Sequence, residues 1–272
     1  WVSVKEMASV SGRKWIDCWA TAFAQQKTVW RYCLACSLLI GFSISINYLK
    51  VMAQEPNRWL PQQTIPNYHP ETAESPTLIA DQNRTVHAFS HQQVGDGEKE
   101  IAIVYNRWTL ENGWSQSVDI MLSPIKHQAR LLGVTLDNAG LFHLLFFGGD
   151  EAESNVYYTS AIAATADSAR SWSQPIAIGQ DAMTPENGGI IGDGQGNLVV
   201  LYSGNAEGNG WYTAVSTDSG STWTEPFPFF ATQDDELTPY YLRLTPGQTG
   251  VVHAIWSVND VLNHGVAIYY AS

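Results

Sequence analysis

Three histidines recur at one position of a sequence repeat, and imidazole side chains can bind metals or anions. His87 and His143 each follow an aspartate by six residues, and His253 follows Gly247 by the same interval. Because imidazole ligates metals when neutral and binds anions when protonated, one interpretation is a site where three repeats converge. The other is a repeated packing position with a hydrogen-bonded ring. We favour the second, since separate repeats can keep equivalent side chains beyond ligand distance.

A second group of side chains has the chemistry of sugar recognition. Glu186 follows Thr184 and Pro185, and Tyr240, Tyr241 and Arg243 come close together later in the chain. A carboxylate, a guanidinium and two aromatic rings could form a polar, aromatic platform for a glycan. Each of these residues also fits an ordinary position at the start of a strand. The sequence has no phosphate-binding loop, nucleophile elbow or thiolate cluster, so we predict no cofactor and no metal site.

Composition and charge narrow the class of partner. The chain of 272 residues is 44% hydrophobic with 11 Trp, 12 Tyr and 9 Phe, which is typical of a globular protein with an aromatic-rich core. Its net charge of −12 combines +4 over residues 1–53 with −16 over residues 54–272. The negative charge of residues 54–272 argues against nucleic acid or an anionic membrane as the main partner. All three cysteines precede residue 54, so the body has no disulfide framework.

The N-terminal part reads as an export signal. Residues 1–26 form an extension that we do not assign to the fold, and in residues 27–53 two basic residues precede an apolar run that ends in Val51, Met52 and Ala53. This pattern predicts a signal peptide cleaved near Ala53 and a secreted or periplasmic protein without stable membrane insertion. An uncleaved membrane anchor is the alternative. Residues 54–73 are polar and rich in proline, which predicts a linker.

The remaining chain repeats. Asp81, Asp137 and Asp193 begin turn sequences spaced 56 residues apart, and Gly247 marks a fourth turn. Each turn precedes a short apolar strand and then an aromatic one, and no segment after Ala53 has a helical apolar period. The apolar strands are Thr85–Phe89, Leu141–Phe147, Leu198–Tyr202 and Val251–Trp256, and the aromatic ones are Ile101–Tyr105, Val156–Thr159, Trp211–Val215 and Val266–Tyr270. Such units predict propeller blades over residues 74–272, about 3.6 of them. We therefore expect an all-β fold that is part of a larger propeller.

One octamer carries the most specific signal. Ser216, Asp218, Gly220 and Trp223 belong to Ser-Thr-Asp-Ser-Gly-Ser-Thr-Trp, which suits a tight turn with an aspartate bonded to its own backbone and a glycine at positive φ. A fainter copy spans residues 165–172, with Asp167 and Trp172 retained and Ala169 at the glycine position. Because alanine disfavours positive φ, we expect the second turn to have a different shape.

The octamers resemble the Asp-box of the sialidase (neuraminidase) superfamily, the first in full. The resemblance covers roughly residues 74–272 and implies a secreted six-bladed β-propeller in which the Asp-box is structural. We therefore do not expect Asp167 or Asp218 to be catalytic.

The same resemblance supplies candidate catalytic residues. The family's general acid could correspond to Asp96, although a solvated turn explains this residue equally well. The glutamate that activates the family's tyrosine nucleophile would lie near Thr238, and Glu236 is two residues before it. Glu74 and Trp256 stand where two of the family's arginines are expected. We thus expect either a sialidase-like glycoside hydrolase or a non-catalytic propeller that binds a carbohydrate or a protein.

Overall fold

The structure is a computed structural model that describes residues 60–69, 74, 76–95, 100–150, 152–180, 187–193, 196–234, 236–247 and 250–272. Its contacts divide the chain into two units, residues 1–63 and 64–272. Only residues 60–63 of the first unit are described, and they are irregular. The predicted extension, the predicted signal peptide, Asp96 and Glu186 lie outside the described residues. No helix within the described ranges is long and apolar enough to cross a membrane.

The second unit consists of four antiparallel sheets in chain order. The strands of sheets 1 and 2 are β1 Thr77–Ala80, β2 Val86–Gln93, β3 Ile101–Thr109, β4 Gly113–Trp114, β5 Val118–Leu122, β6 Ala129–Leu136, β7 Leu141–Gly149, β8 Ser154–Ile162 and β9 Ile176–Gln180. Those of sheets 3 and 4 are β10 Gly188–Gly192, β11 Leu198–Gly204, β12 Asn209–Ser216, β13 Phe227–Thr232, β14 Thr238–Pro246, β15 Val252–Asn259 and β16 Gly265–Ala271. In sheet 1, β1 to β4 are neighbours in sequence order and β5 also pairs with β3. Sheet 2 comprises β6 to β9, sheet 3 comprises β10 to β13, and sheet 4 comprises β14 to β16.

The predicted repeat is confirmed at the level of sheets. The apolar and aromatic segments form the second and third strands of each sheet, and the two helices whose bounds are described are short 3₁₀ helices, Ala163–Thr165 and Ala169–Ser171. Each repeated aspartate bonds the backbone of its turn. Asp81 Oδ1 accepts from Thr85 N at 2.8 Å, and Asp137 Oδ1 accepts from Leu141 N at 2.8 Å. These bonds fix the hairpin between first and second strands, as the spacing predicts.

Successive sheets pack face to face through alternate residues of their strands. We call the side of each sheet that points to the next sheet in sequence its forward face. Phe89 and Tyr105 of sheet 1 pack with Phe142 of sheet 2, while Leu145 and Tyr158 of sheet 2 pack with sheet 3. The first strand of each later sheet lies against that of the sheet before it, so the arrangement is propeller-like.

The complete Asp-box forms the predicted turn. Asp218 Oδ1 accepts from Thr222 N at 2.8 Å, and the Ser216 hydroxyl donates to the same carboxylate atom at 2.8 Å. Gly220 has a φ of +85°. The hydrogen bond from the Thr222 hydroxyl is the main reason why the pKa of Asp218 lies below its usual value. This carboxylate is therefore committed to its own turn.

The second octamer has a different shape, as expected from Ala169. This residue begins a 3₁₀ helix, Ala169–Ser171, and the preceding Ser168 is extended with a φ of −128°. Asp167 lies 3.6 Å from Arg107 Nη2 of sheet 1. Trp172 is retained in the core and donates from Nε1 to Ala166 O at 3.1 Å. The alanine is accommodated because this turn needs no positive φ.

Part of the predicted linker contacts sheet 1. Tyr68 N donates to Gln92 Oε1 at 2.9 Å, and the Ser117 hydroxyl donates to Pro66 O at 2.7 Å. These bonds cover the side of sheet 1 opposite its forward face, where Ala88, Ser90 and Gln92 are buried. Residues 66 and 68 thus help to cover the first sheet.

Candidate functional site

The connections of the sheets lie at two ends, because the strands of a meander alternate in direction. The turns between first and second strands meet at one end, where those beginning at Asp81 and Asp137 line a common groove. We call this the turn end. Connections between second and third strands meet those between sheets at the other end, where Gly149 N donates to Gln128 O at 3.0 Å. We call this the loop end.

Among the described residues, the catalytic candidate Glu236 and the predicted sugar-binding residues Tyr240, Tyr241 and Arg243 follow one another from the loop end into sheet 4. Glu236 is exposed in the connection before β14, and its backbone N–H donates to Asp234 Oδ1 at 3.0 Å. Tyr240, Tyr241 and Arg243 follow on β14, the first strand of sheet 4. Arg243 is exposed and donates from Nη1 to Leu242 O at 2.8 Å. β14 thus brings both predicted rings and the predicted guanidinium onto one strand.

Tyr241 has the most unusual conformation of this group. The pairing of β14 with β15 shifts between Tyr240 and Arg243, so Tyr241 lies in a bulge. Its φ is +54°, which is disfavoured for a residue with a side chain. The ring is 59% exposed, and its centroid lies 5.9 Å from that of Tyr240. Bulges of this kind redirect side chains and are frequent beside binding sites.

The histidine column lies within the sheets at the turn end. His143 is fully buried, with Nδ1 2.7 Å from the Tyr158 hydroxyl and Nε2 3.3 Å from Asp137 Oδ2. His87 and His253 make the same Nδ1 contact, at 2.8 Å, with Tyr105 and Tyr270. This arrangement agrees with the packing interpretation, since each ring has a partner in its own sheet. No group of three potential metal ligands occurs among the described residues.

The tyrosine partners are the residues that sequence reasoning missed. Tyr105, Tyr158 and Tyr270 follow their histidines by 18, 15 and 17 residues. The loops between second and third strands differ in length, so no constant spacing marks these pairs. A signal was present in the aromatic third strands, because Tyr105 and Tyr158 each lie two residues before the residue that pairs with the histidine, on the same face of the sheet.

Burial fixes the ionisation of the two inner histidines. It lowers the pKa of both His87 and His143, and the nearby aspartates oppose this only in part. A neutral His143 that donates from Nε2 to Asp137 accepts at Nδ1 from the Tyr158 hydroxyl at 2.7 Å. The single proton of this hydroxyl is then shared with the Ser219 carbonyl oxygen, which lies at 3.2 Å. Burial also raises the pKa of Tyr158 to about 12. Burial raises the pKa of Tyr105 as well, so the hydroxyls of Tyr105 and Tyr158 are protonated structural groups rather than activated nucleophiles.

Stability should accordingly fall in mild acid. The unfolded chain takes up protons on these histidines below a pH of about 6.5, whereas the folded chain resists, so the free energy of unfolding decreases as the pH drops through that value. The slope is at most about 1.4 kcal/mol per pH unit for each histidine. The midpoints of urea unfolding at pH 7.5 and at pH 5.5 measure this loss of stability. The double variant His87→Gln/His143→Gln should show a smaller difference, and an equal difference would contradict this account.

The groove at the turn end, with a volume of about 480 Å³, is lined by groups that already have structural partners. Asp81 and Asp137 bond their own turns, and Arg107 lies beside Asp167.

The two positions where the sialidase resemblance implies arginines are occupied by residues with structural contacts. Glu74 Oε2 lies 2.8 Å from His91 Nε2, and Trp256 is 4% exposed in the core between sheets 3 and 4. Trp256 is therefore a packing residue.

Comparison with known proteins supports the fold. No family model matches the chain, and no curated protein matches it. A solved protein of unknown function from Dyadobacter fermentans is similar with a TM-score of 0.54 at 12% identity, over 76% of this chain and 68% of that one. This likeness concerns the fold alone.

Two further solved structures resemble the chain more weakly. A thermostable family-43 glycoside hydrolase has a TM-score of 0.47 at 13% identity, over 68% of this chain and 65% of its own. A PL25 ulvan lyase bound to a glucuronate and sulfated rhamnose disaccharide unit has a TM-score of 0.47 at 14% identity, over 70% and 49%. Neither is named as a sialidase.

Proposed function

We propose that this protein binds glycans at the loop end of its propeller-like sheets, with Tyr241 as the central contact. The observation that carries the proposal is the exposed ring of Tyr241 on a bulge at positive φ. Such a conformation costs about 1 to 3 kcal/mol, and strain of this kind persists where it serves a site. Tyr240 adds a second ring 5.9 Å away.

The chemistry of this strand suits a sugar. A pyranose or furanose ring presents apolar C–H groups on its faces and hydroxyls around its rim. An exposed tyrosine offers an apolar ring with a polar tip, and the neighbouring Arg243 offers several N–H donors. Glu236 is exposed in the preceding connection and could accept hydrogen bonds from sugar hydroxyls.

Replacing Tyr241 should separate binding from stability. We expect Tyr241→Gly to lower affinity for a bound oligosaccharide at least tenfold, about 1.4 kcal/mol, while raising the free energy of unfolding because glycine accepts positive φ. Calorimetric titration with neutral and uronate-containing oligosaccharides measures the affinity, and urea unfolding measures the free energy of unfolding. Phe227→Ala is the matched control, because Phe227 is 51% exposed on β13 and outside the proposed site. Unchanged affinity in Tyr241→Gly would contradict the assignment.

A sialidase-like hydrolase of the six-bladed type is the second candidate, favoured by the complete Asp-box at residues 216–223. In that case Asp96 would be the general acid, and Glu236 would assist a tyrosine nucleophile. We rank it second because Glu74 and Trp256 occupy positions expected to hold carboxylate-binding arginines. Hydrolysis of a fluorogenic sialoside that is lost in Asp96→Asn would favour this candidate over binding alone.

A further inference from the structure

Arg130, the second residue of β6, is a partly buried cation that forms no side-chain hydrogen bond or ion pair with the residues that the structure describes. Lys126 and Arg243, by contrast, have partners. Lys126 Nζ donates to Asp150 Oδ1 at 2.6 Å, and Arg243 Nη1 donates to Leu242 O at 2.8 Å. A charged group that has lost part of its water is normally paired with an anion or an acceptor. The guanidinium of Arg130 is therefore available to a ligand.

The register of the sheets gives Arg130 the same position in sheet 2 that Tyr240 has in sheet 4. Arg130 pairs with Phe147 of β7, and Tyr240 pairs with Ser257 of β15. Each of these partners lies four residues after the histidine of its sheet. β10, the first strand of sheet 3, packs against both β6 and β14. Arg130 and Tyr240 therefore lie where the two strands that flank β10 begin, at the loop end.

Two carboxylates of the loop end are engaged with other residues. Glu74 Oε2 lies 2.8 Å from His91 Nε2, and Asp150, which directly follows β7, is held by Lys126. The charge of Arg130 is thus balanced by no described carboxylate, although residues 54–272 carry a net charge of −16. Because the rest of this acidic body repels anions, an unpaired cation at the loop end favours an anionic ligand at its own position.

We propose that the glycan site at the loop end is specific for acidic glycans and that Arg130 binds their anionic group, a carboxylate or a sulfate. This inference rests on the proposed function and names the substrate class of the same site. The planar guanidinium can donate two parallel hydrogen bonds to two oxygens of either group. Tyr240 and Tyr241 then contact the faces of the sugar rings. Arg130 stands at neither of the positions, Glu74 and Trp256, where the sialidase resemblance implies an arginine.

Matched pairs of glycans test the preference for charge. We would screen the full chain against uronate-containing and sulfated oligosaccharides, each beside its carboxyl-reduced or desulfated counterpart, and measure the affinity for every pair that binds by calorimetric titration. The acidic member of a pair should bind about tenfold more tightly than its neutral counterpart, because it gains charge-assisted hydrogen bonds. The arm in which this preference occurs, uronate or sulfate, identifies the anionic group.

Substitution of Arg130 should remove this preference alone. In Arg130→Gln the affinity for the acidic glycan should fall about tenfold, while the affinity for its neutral counterpart should stay unchanged. Arg130→Lys keeps the charge without the planar fork and should lose only part of the preference. Arg170→Gln is the matched control, because Arg170 is exposed in the 3₁₀ helix Ala169–Ser171, away from the loop end, and it should change neither affinity. Urea unfolding of each variant confirms that it is folded.

The outcomes separate this inference from the proposed function. If Tyr241→Gly weakens both members of a pair and Arg130→Gln changes neither, the glycan site stands and the role of Arg130 is wrong. An equal loss of both members in Arg130→Gln would make Arg130 a general contact, and equal affinities of the unaltered protein for both members would show no preference for charge. Either result overturns the inference. Binding of no glycan in any pair would overturn the proposed function together with it.

Discussion

Gly220→Ala is expected to destabilise the protein by about 2 to 5 kcal/mol, two effects adding at one position. Gly220 has a φ of +85°, so any side chain there is strained. A Cβ atom would also meet the Tyr158 ring and hydroxyl, well inside van der Waals distance. The Asp-box turn would have to lift from sheet 2, exposing Tyr158 and weakening the contact with Trp223.

Gly140→Ala separates these two effects. Gly140 has a similar φ of +80°, but a Cβ atom there has no neighbour within 4 Å. It should therefore cost only the conformational strain, about 1 to 2 kcal/mol. Urea unfolding of both variants measures the difference. Equal losses would show that the close approach of the Asp-box to Tyr158 is not important for stability.

Tyr158→Ala should cost about 3 to 5 kcal/mol, the range for deleting a large buried aromatic side chain. The substitution leaves a cavity beside Trp223 and removes the hydroxyl partner of the buried His143 Nδ1. An unpaired buried polar atom adds to the loss. This effect measures how strongly the second and third sheets are held together.

Tyr270→Ala is the matched comparison, because Tyr270 holds the same position in sheet 4 and makes the same histidine contact. Its ring is 64% exposed, so the expected loss is below about 1 kcal/mol. Denaturant midpoints of the two variants test this directly. A large loss at Tyr270 would mean that its ring is covered in solution.

The architecture could be predicted from the sequence because the sequence signals that specify it are local. The aspartates that begin the first three hairpins and the glycine of the octamer act within a few residues of their own turn. Because these local signals recur every 56 residues, they also reveal the repeat. The effect of Ala169 was predictable for the same reason, since positive φ is a property of one residue.

The candidate site could be predicted only in part, because its geometry depends on tertiary packing. The bulge that exposes Tyr241 follows from how β14 pairs with β15, and the letters Tyr-Tyr-Leu-Arg do not specify it. Tyr270 and Tyr158 have similar sequence surroundings, yet one is exposed and the other buried. An alternating apolar pattern shows that a face can be covered without showing what covers it.

The most direct test of the proposed function is an NMR titration of protein labelled on its tyrosine rings, with the signal of Tyr241 assigned from Tyr241→Phe. Saturating oligosaccharide should shift the Tyr241 signal and the neighbouring Tyr240 signal. The signals of Tyr68 and Tyr270, which are also exposed but lie elsewhere, should stay in place. If a bound glycan shifts Tyr68 or Tyr270 and leaves Tyr241 unchanged, the loop end of sheet 4 is not the glycan site.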